Sequence, residues 1–210
     1  MSQVVFPQTP AHAGRLDAAG APDHPLALVR AWYDHVLAIG AEQPAYVTFA
    51  TSSVAGVPSS RTVQMLEVEA GALLFTTNFG SRKGLEMLAT GRAAVSIYWR
   101  ETAQSINLTG TIDIAGEAEC DRRFAEEDRA VMAARTVSFH GRPLVDEGAQ
   151  LAAFHALLES DAPIARPDYW KWFRLLPDAV TFWEGCPGAL NRRLHYALEG
   201  ARWQRGAIEA

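Results

Sequence analysis

A short run of polar and cationic side chains follows two strand-like segments in the first half of the chain. The segments extend from Arg61 to Val68 and from Ala72 to Thr77, with a Glu-Ala-Gly turn between them, and they predict a hairpin. Ser81, Arg82 and Lys83 lie in the polar loop that follows it. Guanidinium, ammonium and hydroxyl groups that converge in this way bind anions, and a phosphate group suits them. The residues of this candidate anion site are Arg61, Thr76, Thr77, Ser81, Arg82 and Lys83.

Other chemistry has weaker support in the sequence. A Ser-Arg-Lys run alone is also typical of the solvated start of a helix, and only the preceding hairpin favours anion binding. The sequence has no GxSxG, HExxH, Walker or GxGxxG motif, so hydrolases, zinc proteases and classical dinucleotide enzymes lack their motifs. A group of aromatic residues near Arg192 and Arg193 forms either core or the wall of a planar ligand site. These are Tyr169, Trp170, Trp172, Phe173, Phe182 and Trp183.

Composition limits the class of protein. The 210 residues carry a formal net charge of -5 at pH 7, and 49% of them are hydrophobic. This indicates one globular domain and argues against general nucleic-acid binding, which needs a basic face. Cys120 and Cys186 are far apart without ligand-like neighbours, so neither a disulfide framework nor a metal site is predicted. Because the sequence has no signal peptide and no membrane-spanning apolar run, we expect a cytoplasmic protein without a membrane partner.

The pattern of the chain predicts a flexible N-terminal arm over residues 1–24 and a single domain over residues 25–210. Apolar residues recur at helical spacing between Pro25 and Gly40, and Asp23 is a candidate cap for this helix.

Short strands at close spacing follow this helix, with glycine turns between them, and they predict a meander that closes into a barrel. Gly110 is expected to form a bulge within the strand over residues 104–114. Two helices, over residues 117–135 and 146–160, are expected before a final group of strands.

Four segments, in this order, resemble the pyridoxamine 5'-phosphate oxidase family of split barrels that bind flavin mononucleotide (FMN). They are SRTVQML, FTTNFGSRKGLEM, AAVSIYWRE and ARPDYWKWFRLLPDAVTFWEG. The resemblance implies a mainly β fold with α-helices, namely a split β-barrel of the six-stranded type with flanking helices. It also implies a homodimer with FMN at the dimer interface.

The resemblance assigns cofactor contacts residue by residue. Trp183 and Arg193 match a tryptophan and an arginine at the flavin, while Ser105, with Gln104 beside it, lies where the family has a glutamine. His140 and Gly141 fall where the family has a Gln-Ser pair from the partner chain. The cofactor contacts implied are Arg61, Thr62, Val63, Gln64, Thr76, Thr77, Ser81, Arg82, Lys83, Gln104, Ser105, Trp183 and Arg193.

The residues that match the family's substrate contacts differ from its pattern. Leu66 stands where the family has a lysine that helps to hold pyridoxal phosphate. Glu127 and Val131 replace the arginine and serine of its phosphate clamp, and Ala189 and Asn191 replace a substrate-facing arginine and histidine. A carboxylate and apolar side chains do not bind a phosphate dianion. We therefore expect these five residues to form a pocket for a flat, non-phosphorylated substrate.

The resemblance thus implies an FMN-dependent oxidase, in which a hydride passes from a natural-product-like, heterocyclic substrate to flavin and then to oxygen, as in phenazine-pathway relatives. It assigns no catalytic residue and no metal. Three alternatives stay open: a pyridoxamine/pyridoxine 5'-phosphate oxidase, a flavin or deazaflavin-dependent reductase, and a non-catalytic flavin-binding protein.

Overall fold

Residues 16–210 are described in the computed structural model, and they form five helices and nine strands. The helices are α1 (Pro25–Ala38), α2 (Arg82–Thr90), α3 (Glu117–Ala125), α4 (Arg129–Val137) and α5 (Glu147–Glu159). The strands are β1 (Tyr46–Ser52), β2 (Pro58–Gln64), β3 (Glu67–Val68), β4 (Leu73–Asn78), β5 (Arg92–Trp99), β6 (Gln104–Ile114), β7 (Trp170–Glu184), β8 (Arg192–Glu199) and β9 (Arg202–Ile208).

The sheet closes on itself through the segment that contains β2 and β3. Its strand order is β2-β1-β5-β6-β7-β4-β3, and every pairing in it is antiparallel. Within the segment, the amide of Met65 donates to Ala45 on the β1 side, whereas the amide of Leu66 donates to Leu74 of β4. The two ends of the order are therefore consecutive parts of one segment. This closure confirms the predicted six-stranded type of split barrel, to which β8 and β9 are added beside β7.

β7 is the longest strand and has two different neighbours on one side. Its first half pairs with β4, its second half pairs with β8, and β6 pairs along almost all of it. The register with β6 shifts at Gly110, as predicted. A Cβ atom on Gly110 would lie 2.1 Å from the carbonyl oxygen of Leu176, so only glycine fits this close approach.

Two apolar clusters fix the sheet. The larger one fills the barrel, where α1 buries Val29, Trp32 and Val36, and the Trp32 ring meets Phe182 edge to face at 5.2 Å. Burial of each such side chain contributes about 1.5–3 kcal/mol. The smaller cluster lies outside the barrel, where α3 covers β4 and β7; its members are Leu74, Ala115, Cys120, Phe124, Trp170 and Trp172.

Three local predictions were wrong or incomplete. The segment predicted as one helix over residues 117–135 is two helices, α3 and α4, with a break between them. The cap of α1 is His24, whose Nδ1 accepts from the Leu26 amide, and not Asp23, which pairs with Arg205. The predicted hairpin pairs only through β3, because the strand that carries Arg61 pairs with β1.

Part of the predicted N-terminal arm is described. Leu16 is buried in the barrel cluster, and its amide donates to Glu184 at 3.2 Å. The hydroxyl of Tyr196 donates to the carbonyl of Pro22 at 2.9 Å. Residues 16–24 therefore lie against the sheet, whereas residues 1–15 lie outside the described part of the chain, and the boundary at residue 25 stays a prediction.

Candidate functional site

Arg61 and Arg82, both predicted anion ligands, converge on the buried carboxylate of Glu86. Nε of Arg82 donates to Oε1 of Glu86 at 2.8 Å, one turn along α2. Nη2 of Arg61, on β2, lies 3.8 Å from Oε2 of the same carboxylate. The two cations are thus brought together as predicted, but around an internal anion that the sequence analysis did not identify.

Two hydroxyl groups link Arg61 to Glu86. Thr51 and Ser59 each donate to Oε2 of Glu86 at 2.5 Å. Arg61 in turn donates to the Thr51 hydroxyl at 2.8 Å and to the Ser59 hydroxyl at 2.6 Å. These four bonds form a closed network that fixes the plane of the Arg61 guanidinium.

The network leaves the site positively charged. Burial alone would raise the pKa of Glu86, but hydrogen bonds from Ser59, Thr51 and Arg82 outweigh it and lower this pKa from 4.5 to about 2. Nζ of Lys83 lies 3.4 Å from the Ser81 hydroxyl, and burial, followed by the nearby Arg61 cation, lowers the pKa of Lys83. Three cations and one carboxylate give this cluster, which we call the cation cluster, a net charge of about +2.

The loop before α2 places Lys83. The side chain of Asn78 accepts from the Gly80 amide at 2.8 Å, and the Ser81 hydroxyl donates back to the Asn78 carbonyl at 2.6 Å. Ser81 therefore makes no capping bond to α2. The N-terminal amides of a helix favour an anion, so α2 adds to the positive field of the cation cluster.

Thr76 and Thr77 lie on opposite faces of β4. The Thr76 hydroxyl donates to the Lys171 carbonyl at 3.0 Å, and Thr76 is paired in register with Trp172. Thr77 is buried, and its hydroxyl has no hydrogen-bond partner within residues 16–210. Of these two threonines, Thr77 is the one whose hydroxyl is unused within the described residues. Thr62, Val63 and Gln64 follow Arg61 along β2.

A second set of predicted cofactor contacts lies in one row across three strands. Ser105 of β6 pairs with Trp183 of β7, which pairs with Arg193 of β8. In the next row, Gln104 is buried, and both polar atoms of its amide have no partner among the described residues. Because successive residues of a strand point to opposite faces, Ser105, Trp183 and Arg193 share one face of the sheet and Gln104 lies on the other face.

The two sets lie at opposite ends of β7. Thr76 adjoins Trp172 near the start of the strand, whereas Trp183 lies near its end. At about 3.3 Å per residue, the path between these two tryptophans is roughly 36 Å along the strand. Within one copy, Thr76 and the row of Trp183 therefore lie far apart along β7.

A cavity of about 320 Å³ brings together two of the predicted substrate-pocket residues, Leu66 and Glu127. It is lined by Leu66, Arg123, Glu126, Glu127, Asp128 and Trp172. Because Trp172 pairs with Thr76, this cavity adjoins the end of the sheet that carries the first set. Val131, on α4, is not in its lining.

Glu127 is not an isolated charge in this cavity. Arg135 donates to it at 2.5 Å, and the Arg135 guanidinium lies 4.8 Å from the Trp170 ring centre and 5.3 Å from that of Trp172. Even so, the lining contains three carboxylates and one arginine. Its charge disfavours a phosphate dianion.

The remaining predicted pocket residues lie elsewhere in the same copy. Ala189 and Asn191 are exposed in the loop after β7, where the Asn191 side chain accepts from the Cys186 amide at 3.1 Å. They therefore belong to the Trp183 end of β7. His140 lies at the other end: its ring meets Trp170 at 5.2 Å, and burial, then Lys83 and Arg135, lower its pKa.

Glu86 and Arg135 are the residues that sequence reasoning missed. The spacing of Arg82 and Glu86 is typical of an exposed helical ion pair, and the signal for burial was the apolar neighbour Met87 in the same turn.

The low pKa of Glu86 predicts a specific acid sensitivity. A carboxyl group whose pKa falls on folding stabilises the protein above its ordinary value of 4.5, and this stability is lost as pH falls towards about 2. Glu86→Gln should therefore lower the melting temperature at neutral pH and flatten its decline between about pH 5 and pH 3. Circular dichroism melts at a series of pH values measure this, and an unchanged slope would contradict it.

The described residues fit FMN. Its phosphate carries a charge near -2 at neutral pH, which the cation cluster matches. The unpartnered Thr77 hydroxyl and Gln104 amide are buried polar groups that need a partner.

Within residues 16–210, no helix is long and apolar enough to span a membrane.

Comparison with known proteins agrees with this fold. The sequence model described as "Pyridoxamine 5'-phosphate oxidase" matches residues 35–158. A pyridoxine/pyridoxamine 5'-phosphate oxidase of Rubrobacter xylanophilus is 32% identical over 193 residues, covering 90% of this chain and 88% of the relative. A protein of the same name from Alcanivorax borkumensis is 32% identical over 198 residues, covering 92% and 94%.

Two solved structures extend the comparison. PhzG from Burkholderia lata, in complex with tetrahydrophenazine-1-carboxylic acid, has a TM-score of 0.89 at 28% identity, covering 99% of this chain and 98% of PhzG. A pyridoxamine 5'-phosphate oxidase-related, FMN-binding protein from Nostoc punctiforme has a TM-score of 0.75 at 19% identity, covering 90% and 100%, and it supports the fold. The chain therefore belongs to the pyridoxamine 5'-phosphate oxidase family.

Proposed function

We propose that this protein is a cytoplasmic FMN-dependent oxidase of a flat, non-phosphorylated, heterocyclic substrate. The observation that carries the proposal is the lining of the 320 Å³ cavity, where three carboxylates and one arginine lie beside Leu66 and Trp172. The similarity to PhzG, whose structure holds a partly reduced phenazine carboxylic acid, supports a substrate of this shape.

In this proposal the cofactor lies between two copies of the chain. Arg61, Arg82 and Lys83 of one copy hold its phosphate, and the row of Trp183 and Arg193 comes from the other copy. The separation of these two sets along β7 supports a homodimer. When bound, FMN would accept the hydride of the substrate and transfer the electrons to oxygen.

The chain itself would orient the substrate. Leu66 and Trp172 are the two apolar residues in a lining that is otherwise charged, and Arg135 neutralises Glu127 beside them. Ala189 and Asn191 of the second copy complete this pocket in the proposed dimer. Because the cofactor supplies the redox chemistry, the site needs no nucleophile or zinc ligand.

A second candidate function is pyridoxine/pyridoxamine 5'-phosphate oxidation. The names of relatives that are 32% identical over about nine-tenths of this chain favour it. The acidic lining of the cavity disfavours it.

The spectrum and reactivity of the purified protein test the proposed function. We expect a yellow protein that releases FMN on denaturation. Mixed without oxygen with a partly reduced aromatic heterocycle, it should lose its flavin colour, and oxygen should restore the colour. Rapid bleaching by NADPH alone would indicate a reductase. A colourless protein that does not bind FMN would contradict the proposal.

A mixing experiment tests the shared site. One variant, Arg82→Ala with Lys83→Ala, and a second, Arg193→Ala, should each bind FMN poorly. In a co-expressed mixture, about half the dimers are mixed, and each has one intact and one doubly altered site. About a quarter of all sites should therefore regain FMN, measured as bound flavin per chain. No recovery would mean that all three residues serve one copy's own site.

A further inference from the structure

We infer that Glu86 is a positioning residue that holds Arg61 and Arg82 ready for the phosphate of the cofactor. The inference rests on the proposed function, since it assigns that phosphate to the cation cluster. Glu86 would not touch the cofactor. It would act through the two arginines and the two hydroxyl groups that surround it.

The hydrogen bonds of Arg61 show how completely its orientation is fixed. Its Nη1 donates to the carbonyl of Phe49 at 3.1 Å and to the Thr51 hydroxyl, and its Nη2 donates to the Ser59 hydroxyl. Both hydroxyls act as acceptors for Arg61 because each gives its own hydrogen to Glu86. The carboxylate therefore decides which way both hydroxyls point.

Arg82 is held in a different way. Only its Nε is used by Glu86, and its side chain is 63% exposed. The two terminal nitrogens of the guanidinium have no hydrogen-bond partner among residues 16–210, and the bonds of an anion to such a fork are strong and directional. Glu86 thus restricts the flexible side chain of Arg82 through Nε and does not occupy the two terminal nitrogens that would bind the phosphate.

Glu86 also sets the charge of the cluster. Without it, Arg61, Arg82 and Lys83 would repel one another within a partly buried space. One carboxylate relieves this repulsion and still leaves about two positive charges for a dianion. A glutamine cannot replace it, because one of its two polar atoms is a donor and cannot accept from these groups.

The test compares FMN with riboflavin, which lacks the phosphate. We expect Glu86→Gln to weaken FMN about 10-fold or more, equivalent to about 1.4 kcal/mol, and to change riboflavin affinity less than about 2-fold. Ser59→Ala, which keeps the charge but removes one relay, should give a smaller loss of the same FMN-selective kind. If Glu86→Gln does not fold, the Ser59→Ala variant still tests the inference. Asp34→Asn removes a carboxylate from an exposed Arg30 ion pair and is the matched control.

Flavin fluorescence titrations distinguish the outcomes. Equal losses for both ligands would mean that Glu86 only supports the fold, and a gain in FMN affinity would mean that it merely competes with the phosphate; either result overturns the inference. If the wild-type protein binds FMN and riboflavin equally, the proposed phosphate site itself is wrong.

Discussion

Replacing Arg82 and Lys83 together by alanine should weaken FMN binding about 100-fold or more. Each charge-assisted hydrogen bond contributes about 1.5–3 kcal/mol, and about 1.4 kcal/mol corresponds to a factor of ten in affinity. Because riboflavin has no phosphate, its affinity should stay within about threefold. Fluorescence titration of both flavins with the purified variant measures the two effects.

The matched control removes two positive charges elsewhere on the chain. Arg100 and Arg202 are exposed cations outside the cation cluster, and their replacement by alanine should leave both flavin affinities unchanged. If the Arg82 and Lys83 variant loses FMN and riboflavin equally, the phosphate does not lie at the cation cluster.

Adding positive charge to the 320 Å³ cavity should create activity towards pyridoxamine 5'-phosphate. Leu66→Lys with Glu127→Gln makes the lining more positive by two charges, and it frees Arg135 from its carboxylate partner. Two unit charges at about 6 Å interact by about 3 kcal/mol at an effective dielectric of 20. Even after screening by solvent, we expect kcat/KM for pyridoxamine 5'-phosphate to rise about 100-fold from a very low level.

Pyridoxamine, which lacks the phosphate, is the control substrate, and its kcat/KM should change little. The control variant Leu176→Lys with Glu101→Gln adds the same charge away from the cavity and should have no effect on this activity. The two leucines are matched in exposure, because Leu176 is 40% exposed and Leu66 is 36% exposed. Rapid turnover of pyridoxamine 5'-phosphate by the wild-type protein would contradict both this prediction and the proposed substrate class.

The barrel was predictable because its signals are local. Alternating apolar residues and glycine turns mark the strands, and Gly110 marks the bulge, since no other residue fits against the Leu176 carbonyl. The resemblance then supplied the split-barrel type, which periodicity alone does not give. The break between α3 and α4 was missed because its residues are charged and carry no glycine or proline.

The structure brings Arg61 and Arg82 together, but the connection between them could not be predicted from the sequence. The predicted hairpin placed Arg61 near the loop cations, but its strand pairs with β1 and its side chain joins the cluster through Glu86. That contact depends on how α2 packs on the barrel, which no local pattern encodes. Likewise, nothing in the sequence indicates that Arg135 would stack on Trp170 and neutralise Glu127.

The register shift at Gly110 has a consequence for an assembly of two chains. In such a pair, the first residues of β7, the strand opposite Gly110, would lie near one bound cofactor, and its last residues would lie near the other. Because a bulge bends its strand, the register shift at this midpoint would affect the distance between the two cofactor sites. Because a Cβ atom on residue 110 would lie 2.1 Å from the Leu176 carbonyl oxygen, a larger residue would displace β7 between its two ends.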